Sequence, residues 1–368
     1  MIKLANPDIT SKEIAAVVKV LKSGTLSLGP ELEAFEKDFA RYVGRKYALA
    51  VSSGTAGLHM AANALGIGPG DEVITSPYSF IASVNCILYQ RAKPVLADID
   101  PTTFNLDPQQ AAAKVNSRTK ALLAVDIFGL PADYKKLNAL CRKHNLELIE
   151  DSCEALGARH HGRMAGSFGK ISVFGFYPNK QITTGEGGMV LCDDPRIHRQ
   201  MAALRNQGRS SMGGWLAHHI LGYNYRMSDI SAALGRVQLA RLPAMLERRR
   251  RVAQNYKKLF ARHLPEFTVL QDVPGVERSW FVFAVLAPPN LKGKKRDHLI
   301  KGLQRSGIQC AHYFPALHLQ PALRSLGYKK GDFPVAEDVA SRSLALPFHH
   351  KLTGADQIRI VETIRRII

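Results

Sequence analysis

Apolar residues gather in short runs along the first two thirds of the chain, separated by stretches of helical period. The runs are Tyr47–Ser52, Glu72–Thr75, Pro94–Ala97, Ala121–Val125, Leu146–Glu150, Ile171–Phe176 and Gly188–Leu191. Most are β-branched or leucine-rich with few outward polar positions, the pattern of parallel strands covered on both faces. Between them, Thr55–Leu65, Ser83–Gln90, Pro108–Val115 and Asp133–His144 read as helices. Strand and helix in alternation predict a doubly wound α/β domain. After Arg226 the pattern changes. Ser228–Leu242, opened by a Ser228 cap, and Leu246–His263 read as long helices. A strand-like run, Trp280–Leu286, and helical stretches at Arg296–Ser306 and Ala355–Ile367 follow a different rhythm. The expected organisation is a large domain over residues 1–245 and a smaller α+β domain over 246–368. A length of 368 residues suits two domains at roughly 100–200 residues each.

Composition narrows the classes. With 46% hydrophobic and 22% charged residues the chain is ordinary globular material. No run approaches the roughly eighteen uninterrupted apolar residues of a spanning helix, and the first ten residues, MIKLANPDIT, lack a charged-then-apolar leader pattern. Five cysteines, odd in number and without metal-ligand spacing, predict reduced thiols in a cytoplasmic protein and no metal. The 50 basic and 31 acidic residues give a net charge of +19, compatible with nucleic acid, a membrane surface or an anionic small substrate. The densest basic patch, Arg248–Arg251 with Lys257 and Lys258, lies in a helical stretch and reads first as a solvated helix face. No nucleic-acid-binding motif accompanies it, so neither nucleic acid nor membrane is expected as a partner.

In open α/β sheets, ligands collect beyond the carboxyl ends of the strands. Three such ends hold unusual residues. Ser52-Ser53-Gly54-Thr55-Ala56 runs from a strand straight into a helix; it is either a phosphate cradle at a helix N-terminus or an ordinary Ser/Thr cap with a glycine turn. Glu150-Asp151 closes an apolar strand; a buried carboxylate there needs a cation or several donors, unless it merely caps the next turn. Lys180, in FGFYPNKQITTGEGG, is either an amine nucleophile among apolar and small residues or a surface lysine beside a turn. Taken together, a phosphate site, a carboxylate and a lysine are what pyridoxal 5′-phosphate (PLP) requires. The phosphate wants a helix N-terminus, the ring nitrogen an anion, and the aldehyde an amine. No GxxxxGK[ST] loop or GxGxxG fingerprint is present.

The segments SSGTAGLHMAANALGIGPGDEVITSPYSFIAS, ADIDPTTFNLD, IEDSCEALGA, FGFYPNKQITTGEGGMV, YNYRMSDISAALGRVQL and HYFPALHLQPALRSLGYKKGDFPVAED follow one another in the order and spacing of a known family. Almost end to end, the chain resembles the sugar aminotransferases of the DegT/DnrJ/EryC1/StrS family, fold-type I PLP enzymes with the aspartate-aminotransferase fold. The resemblance implies that Lys180 holds the cofactor covalently and carries the proton. It implies that Asp151 pairs with the pyridine nitrogen, that Gly54, Thr55 and Ala56 bind the phosphate, and that Phe80 stacks on the ring. Asn224 would reach the cofactor of the neighbouring subunit, which implies a homodimer. Arg226 would meet the anionic donor or a nucleotide diphosphate, and His318 would line the sugar pocket. The implied reaction moves an amino group from glutamate to a keto group of a nucleotide-linked hexose, in amino-sugar or cell-surface polysaccharide synthesis.

Two positions depart from the family pattern. Gly175 stands where many members have a phosphate-binding serine. Glu154 stands where many have glutamine or histidine beside the cofactor's phenolic oxygen, which it would repel unless one of the two carries a proton. The intact Lys180 argues against the family's dehydratase branch, which has histidine there. A competing reading is a regulatory or binding protein that keeps the PLP fold without turnover, since fold alone does not fix function.

Overall fold

The structure is a computed structural model that describes residues 1–209 and 217–368. Two helices open the chain, α1 (Ser11–Ser23) and α2 (Pro30–Val43). Strand β1 (Tyr47–Val51) then leads into α3 (Gly54–Ala64), β2 (Glu72–Thr75) into α4 (Ala82–Tyr89), and β3 (Lys93–Leu96) into the short α5 (Pro108–Ala112). β4 (Thr119–Val125), α6 (Tyr134–His144) and β5 (Glu147–Asp151) continue the alternation. A small hairpin, β6 (Arg159–His160) and β7 (Arg163–Met164), precedes β8 (Ile171–Gly175), β9 (Gly188–Cys192) and α7 (Pro195–Arg205).

Seven of these strands form one sheet in the order β1-β9-β8-β5-β4-β2-β3. Only β9 runs against its neighbours β1 and β8; the remaining pairings are parallel. The carboxyl ends of β1, β2, β4, β5 and β8 therefore share one edge, as the run pattern predicts. Strand alternation explains why β4 lacks a polar face. Leu123 and Val125 pack with the α3–α4 side of the core, whereas Leu122 and Ala124 pack with Leu137 and Leu140 of α6. Beyond β8, fully buried Phe35 and Phe39 of α2 close on Phe174 and Phe176, with ring centroids 5.2–5.9 Å apart. Each such pair adds about 0.5–1.5 kcal/mol beyond its buried area.

The two helices expected around residue 245 are one. α8 runs from Asp229 to His263 with Pro243 inside it, capped by the Ser228 side chain. The expected division at 245/246 lies within this rod, with no linker at that point. Pro243 and Pro-free flanks of good periodicity made the sequence look like two helices; packing of α8 against α1, α2 and the C-terminal helix holds it as one. After it come β10 (Thr268–Val269), β11 (Val276–Glu277), β12 (Phe283–Leu286), α9 (Lys294–Arg305), α10 (Pro334–Arg342), β13 (Ser343–Leu346) and α11 (Gly354–Ile367). β10-β12-β13 form a small sheet, and β11 joins the β6–β7 hairpin. The chain's first residues also belong to this region: Ile2 bridges Ile308, and the Phe348 N–H donates to the Leu4 carbonyl. Among the described residues no helix is long and apolar enough to cross a membrane.

Candidate active site

A cavity of about 810 Å³ opens at the carboxyl edge of the large sheet and is roofed by the segment from Ala311 to Gln320. Two bonds tether that roof to the end of β2: the Leu317 N–H donates to the Pro77 carbonyl at 2.8 Å, and the Tyr78 hydroxyl to the Tyr313 carbonyl at 2.7 Å. Gly54, Thr55, Phe80, Asp151, Glu154, Gly175 and Lys180 all line the cavity. Residues scattered over the sequence thus converge because each follows or ends a strand on the same edge.

Asp151 ends β5 and is 5% exposed. Its carboxylate accepts the Ser83 hydroxyl at 2.7 Å, and Ser83 in turn meets Ser79 at 2.9 Å. The Cys153 N–H adds a 3.3 Å contact to the other oxygen. No cation of the chain is paired with this carboxylate among the described residues. Burying a carboxylate without a cation is costly, so two donors hold its position while its charge stays available to the cavity.

Lys180 lies on the turn after β8. Its Nζ stands 3.7 Å from Glu154 Oε1 and 4.1 Å from the centroid of the Phe281 ring. Its carbonyl accepts from Arg249 at 3.0 Å, which fixes the backbone under the amine. Glu154 receives the Phe128 N–H on its second oxygen at 2.8 Å. Phe128 adopts φ 53°, sparsely populated for a side-chain-bearing residue. Burial pushes the Glu154 carboxyl up to about 7, outweighing the Lys180 ammonium and the Phe128 N–H, which pull it down.

At the third corner, α3 points its N-terminus at the cavity. The first turn of a helix leaves N–H groups without intrahelical partners. The Ser53 side chain takes that of Ala56 at 3.0 Å, and Gly54 and Thr55 stand at the cavity wall. Glycine is required here by crowding: a Cβ at Gly54 would lie 2.9 Å from Cys153 Sγ, and one at Gly188 would lie 2.8 Å from the Gly54 nitrogen. The wall is bare backbone, as an anion cradle needs.

The other expected residues fall into two groups. Phe80 is 59% exposed at the rim, so it is not a core residue and its ring is free to cover a ligand. Ala56 is buried and outside the lining, and its N–H donates to the Ser53 side chain. Asn224 and Arg226 lie away from this cavity. Asn224 is exposed on the strand-like stretch that bridges Asn206, and Arg226 binds Asn206 and Gln207 at 2.7 and 2.6 Å. His318 is buried (1% exposed) against Phe333 and bonds Glu337 at 3.0 Å. It does not line the cavity; the roof segment turns the histidine inward and presents Tyr313, Phe314 and Leu317 instead.

Five contributing residues were missed by sequence reasoning. Ser79 and Ser83, one helical turn apart, carry a readable signal in their spacing. Phe281 and the Asn179–Tyr313 pair (3.2 Å) do not, because each depends on the second sheet's approach. Asn179 Oδ1 is buried at the cavity with no partner among the described residues.

These residues fit PLP: a bare helix N-terminus for the phosphate, a buried carboxylate without a cation, and an amine beside a raised carboxyl. Comparison with known proteins agrees. The sequence model of the DegT/DnrJ/EryC1/StrS aminotransferase family matches residues 7–365. The GDP-perosamine synthase of Caulobacter vibrioides is 37% identical over 369 residues, covering 100% of this chain and 98% of that one. DesV of S. venezuelae superposes with a TM-score of 0.90 at 34% identity over 97% of this chain and 94% of DesV. The Streptococcus pneumoniae protein Spr1654 in its PLP form gives 0.94 at 28% identity over 100% and 98%. The chain belongs to the DegT/DnrJ/EryC1/StrS aminotransferase family and is a PLP-dependent aminotransferase.

Proposed function

We propose that this aminotransferase takes an amino group from glutamate and places it on a keto group of a nucleotide-linked sugar, with Lys180 as its catalytic residue. The observation that carries the reading is the convergence of Lys180, Asp151 and the α3 N-terminus on one cavity. When bound, PLP supplies an electron sink and carries the amino group between donor and acceptor. Lys180 Nζ would hold the cofactor, and its amine is the group that would carry the proton at the substrate's amine-bearing carbon. Asp151, held by Ser83, keeps the proton on the ring nitrogen. Gly54 and Thr55 bind the phosphate through the helix N-terminus, Phe80 covers the ring face, and Glu154 adjoins both the amine and the phenolic side. Asn179 Oδ1 offers an acceptor for a substrate hydroxyl.

The nucleotide-linked acceptor is supported by the chain's excess of positive charge and by relatives named for sugar amination, such as GDP-perosamine synthase. Asn224, exposed and outside the lining of its own cavity, would donate to the partner's cofactor in a homodimer, with Arg226 beside it for an anionic substrate. The test has two steps. Purified holoenzyme mixed with glutamate should lose its visible absorption band and release 2-oxoglutarate; a panel of nucleotide-linked keto sugars should then restore the band. A band unmoved by glutamate, and equally by other amino acids, would favour the regulatory reading.

A further inference from the structure

A second concavity lies far from this site in the fold and shares no lining residue with it. It occupies about 550 Å³ between α6 and the β6–β7 hairpin, and adjoins a further cavity of about 420 Å³ at the amino edge of the sheet. Asn138, Arg142, Arg163 and Phe168 line both, so the two form one groove.

Its floor is aromatic. Tyr134 and Phe168 stack at 4.5 Å with planes 3° apart. Its walls are cationic. Lys135, Arg142 and Arg163 make no ion pair with a carboxylate among the described residues, although all three line one cavity. Asp133, which precedes α6, is paired with Lys136 at 2.9 Å. Arg163 lies 4.6 Å over the Phe168 ring and is held to Ser167 through Nε and Nη2, so its position is fixed while Nη1 has no partner among the described residues. His160, 8% exposed, meets this stacked pair edge-on from the side, its ring centroid 6.5 Å from that of Tyr134 and 5.7 Å from that of Phe168. Its ring nitrogens make no hydrogen bond among the described residues, and what remains accessible of it opens into the groove. Three unneutralised cations in one concavity repel one another unless an anion joins them.

We propose that this groove is a second ligand site, for a phosphate-bearing small molecule. The geometry favours a diphosphate over a single carboxylate. Arginine and lysine from two separate elements can each take a different phosphoryl oxygen, and Phe168, with Tyr134 stacked on it and Arg163 over it, adds an apolar edge against which the rest of a nucleoside diphosphate can lie. The mixed-charge neighbouring cavity, which also contains Glu147 and Asp193, is unsuited to more anion and has polar groups for a base or sugar. The site would be built independently of the transamination assigned above.

Titration calorimetry of the holoenzyme with inorganic pyrophosphate, and separately with a nucleoside diphosphate, tests this. The variant is Lys135→Ala/Arg142→Ala, both exposed side chains outside the active cavity. Both probes should show a binding event that weakens at least tenfold in the double variant, while the cofactor's visible band and turnover stay unchanged. Arg142→Lys should lose less than Arg142→Ala. A nucleoside diphosphate binding tighter than pyrophosphate, by a margin lost in Phe168→Leu, would assign a nucleotide; equal affinities would assign a free phosphate compound. Failure of both probes to bind, or affinities identical in wild type and double variant, would overturn the proposal.

Discussion

The two edges of the central sheet handle charge in opposite ways. At the carboxyl edge, two buried carboxylates, Asp151 and Glu154, and the part-buried amine of Lys180 line one cavity. At the amino edge, the largely exposed cations Lys135, Arg142 and Arg163 outnumber the acids Glu147 and Asp193 along one groove. Neighbouring residues of β5 show the same divide at atomic scale. Glu150 turns to the loop before β8, where its carboxylate accepts N–H groups from Gly166, Phe168 and Gly169. Asp151 turns to the other face, where only Ser83 and Cys153 donate. One carboxylate is saturated by backbone and shapes a loop; the other keeps capacity for a ligand. Adjacent acids on a strand are therefore assigned by which face has donors left, not by their identity.

Substitutions at the carboxyl edge should sharpen this contrast, beginning with the largest. Lys180→Ala removes anchor and proton carrier, and turnover should fall by about 10⁴-fold or more with the melting temperature little changed; a rate near wild type would reject the assignment. Asp151→Asn should cost on the order of 10²–10³ in kcat, whereas Glu150→Gln should appear in the melting temperature rather than in kcat. Ser83→Ala deletes a hydrogen bond to an ionised group, worth about 1.5–3 kcal/mol, so kcat should fall roughly ten- to hundredfold, with rescue by Ser83→Thr. Gly175→Ser works in the other direction. An added Cβ would meet Cys153 Sγ at 3.5 Å, an ordinary contact, so the hydroxyl fits and should tighten cofactor binding by about tenfold, measured by fluorescence titration of the apoenzyme.

The smallest effect concerns protons. Glu154 holds its proton up to about pH 7, against an ordinary value of 4.5. Below about 4.5 it is neutral folded or unfolded. Between about 4.5 and 7 the folded state binds the extra proton, so its contribution to stability is lost as pH rises through that window. Glu154→Gln should remove this slope from the pH profile of unfolding in the apoenzyme, and the step near pH 7 from the holoenzyme's visible titration. Superimposable curves for variant and wild type would show that Glu154 does not titrate there.

Most of the large sheet was legible because parallel strands advertise themselves: Glu72–Thr75 is read without error, and six other strands fall within two residues. Lys180, Asp151, Gly54 and Thr55 were legible for a related reason, as each breaks the apolar pattern at a strand end. That the Ala56 N–H is engaged by Ser53, and that Ala56 lies behind the cavity wall, could not be read from the sequence. His318 was misplaced because which side of a roof segment faces a cavity depends on Phe333 and Glu337, held elsewhere. Phe281 was invisible since its position over Lys180 is a product of tertiary docking. The opening helices α1 and α2, and α7, escaped notice through attention to strands. The cations of the amino edge were spread over α6 and a hairpin of two-residue strands, which are too short to register as elements.

The uninterrupted α8 has a mechanical corollary. At 1.5 Å per residue, its 35 residues make a beam about 52 Å long, fastened at one end to the opening helices through Gln238 and Arg241 and at the other to the closing helix through Asn255. A girder fixed at both ends transmits torque without slack. Any tilt of the carboxy-terminal lobe is thereby geared to the base beneath Lys180, whose carbonyl is gripped by Arg249 from the same beam.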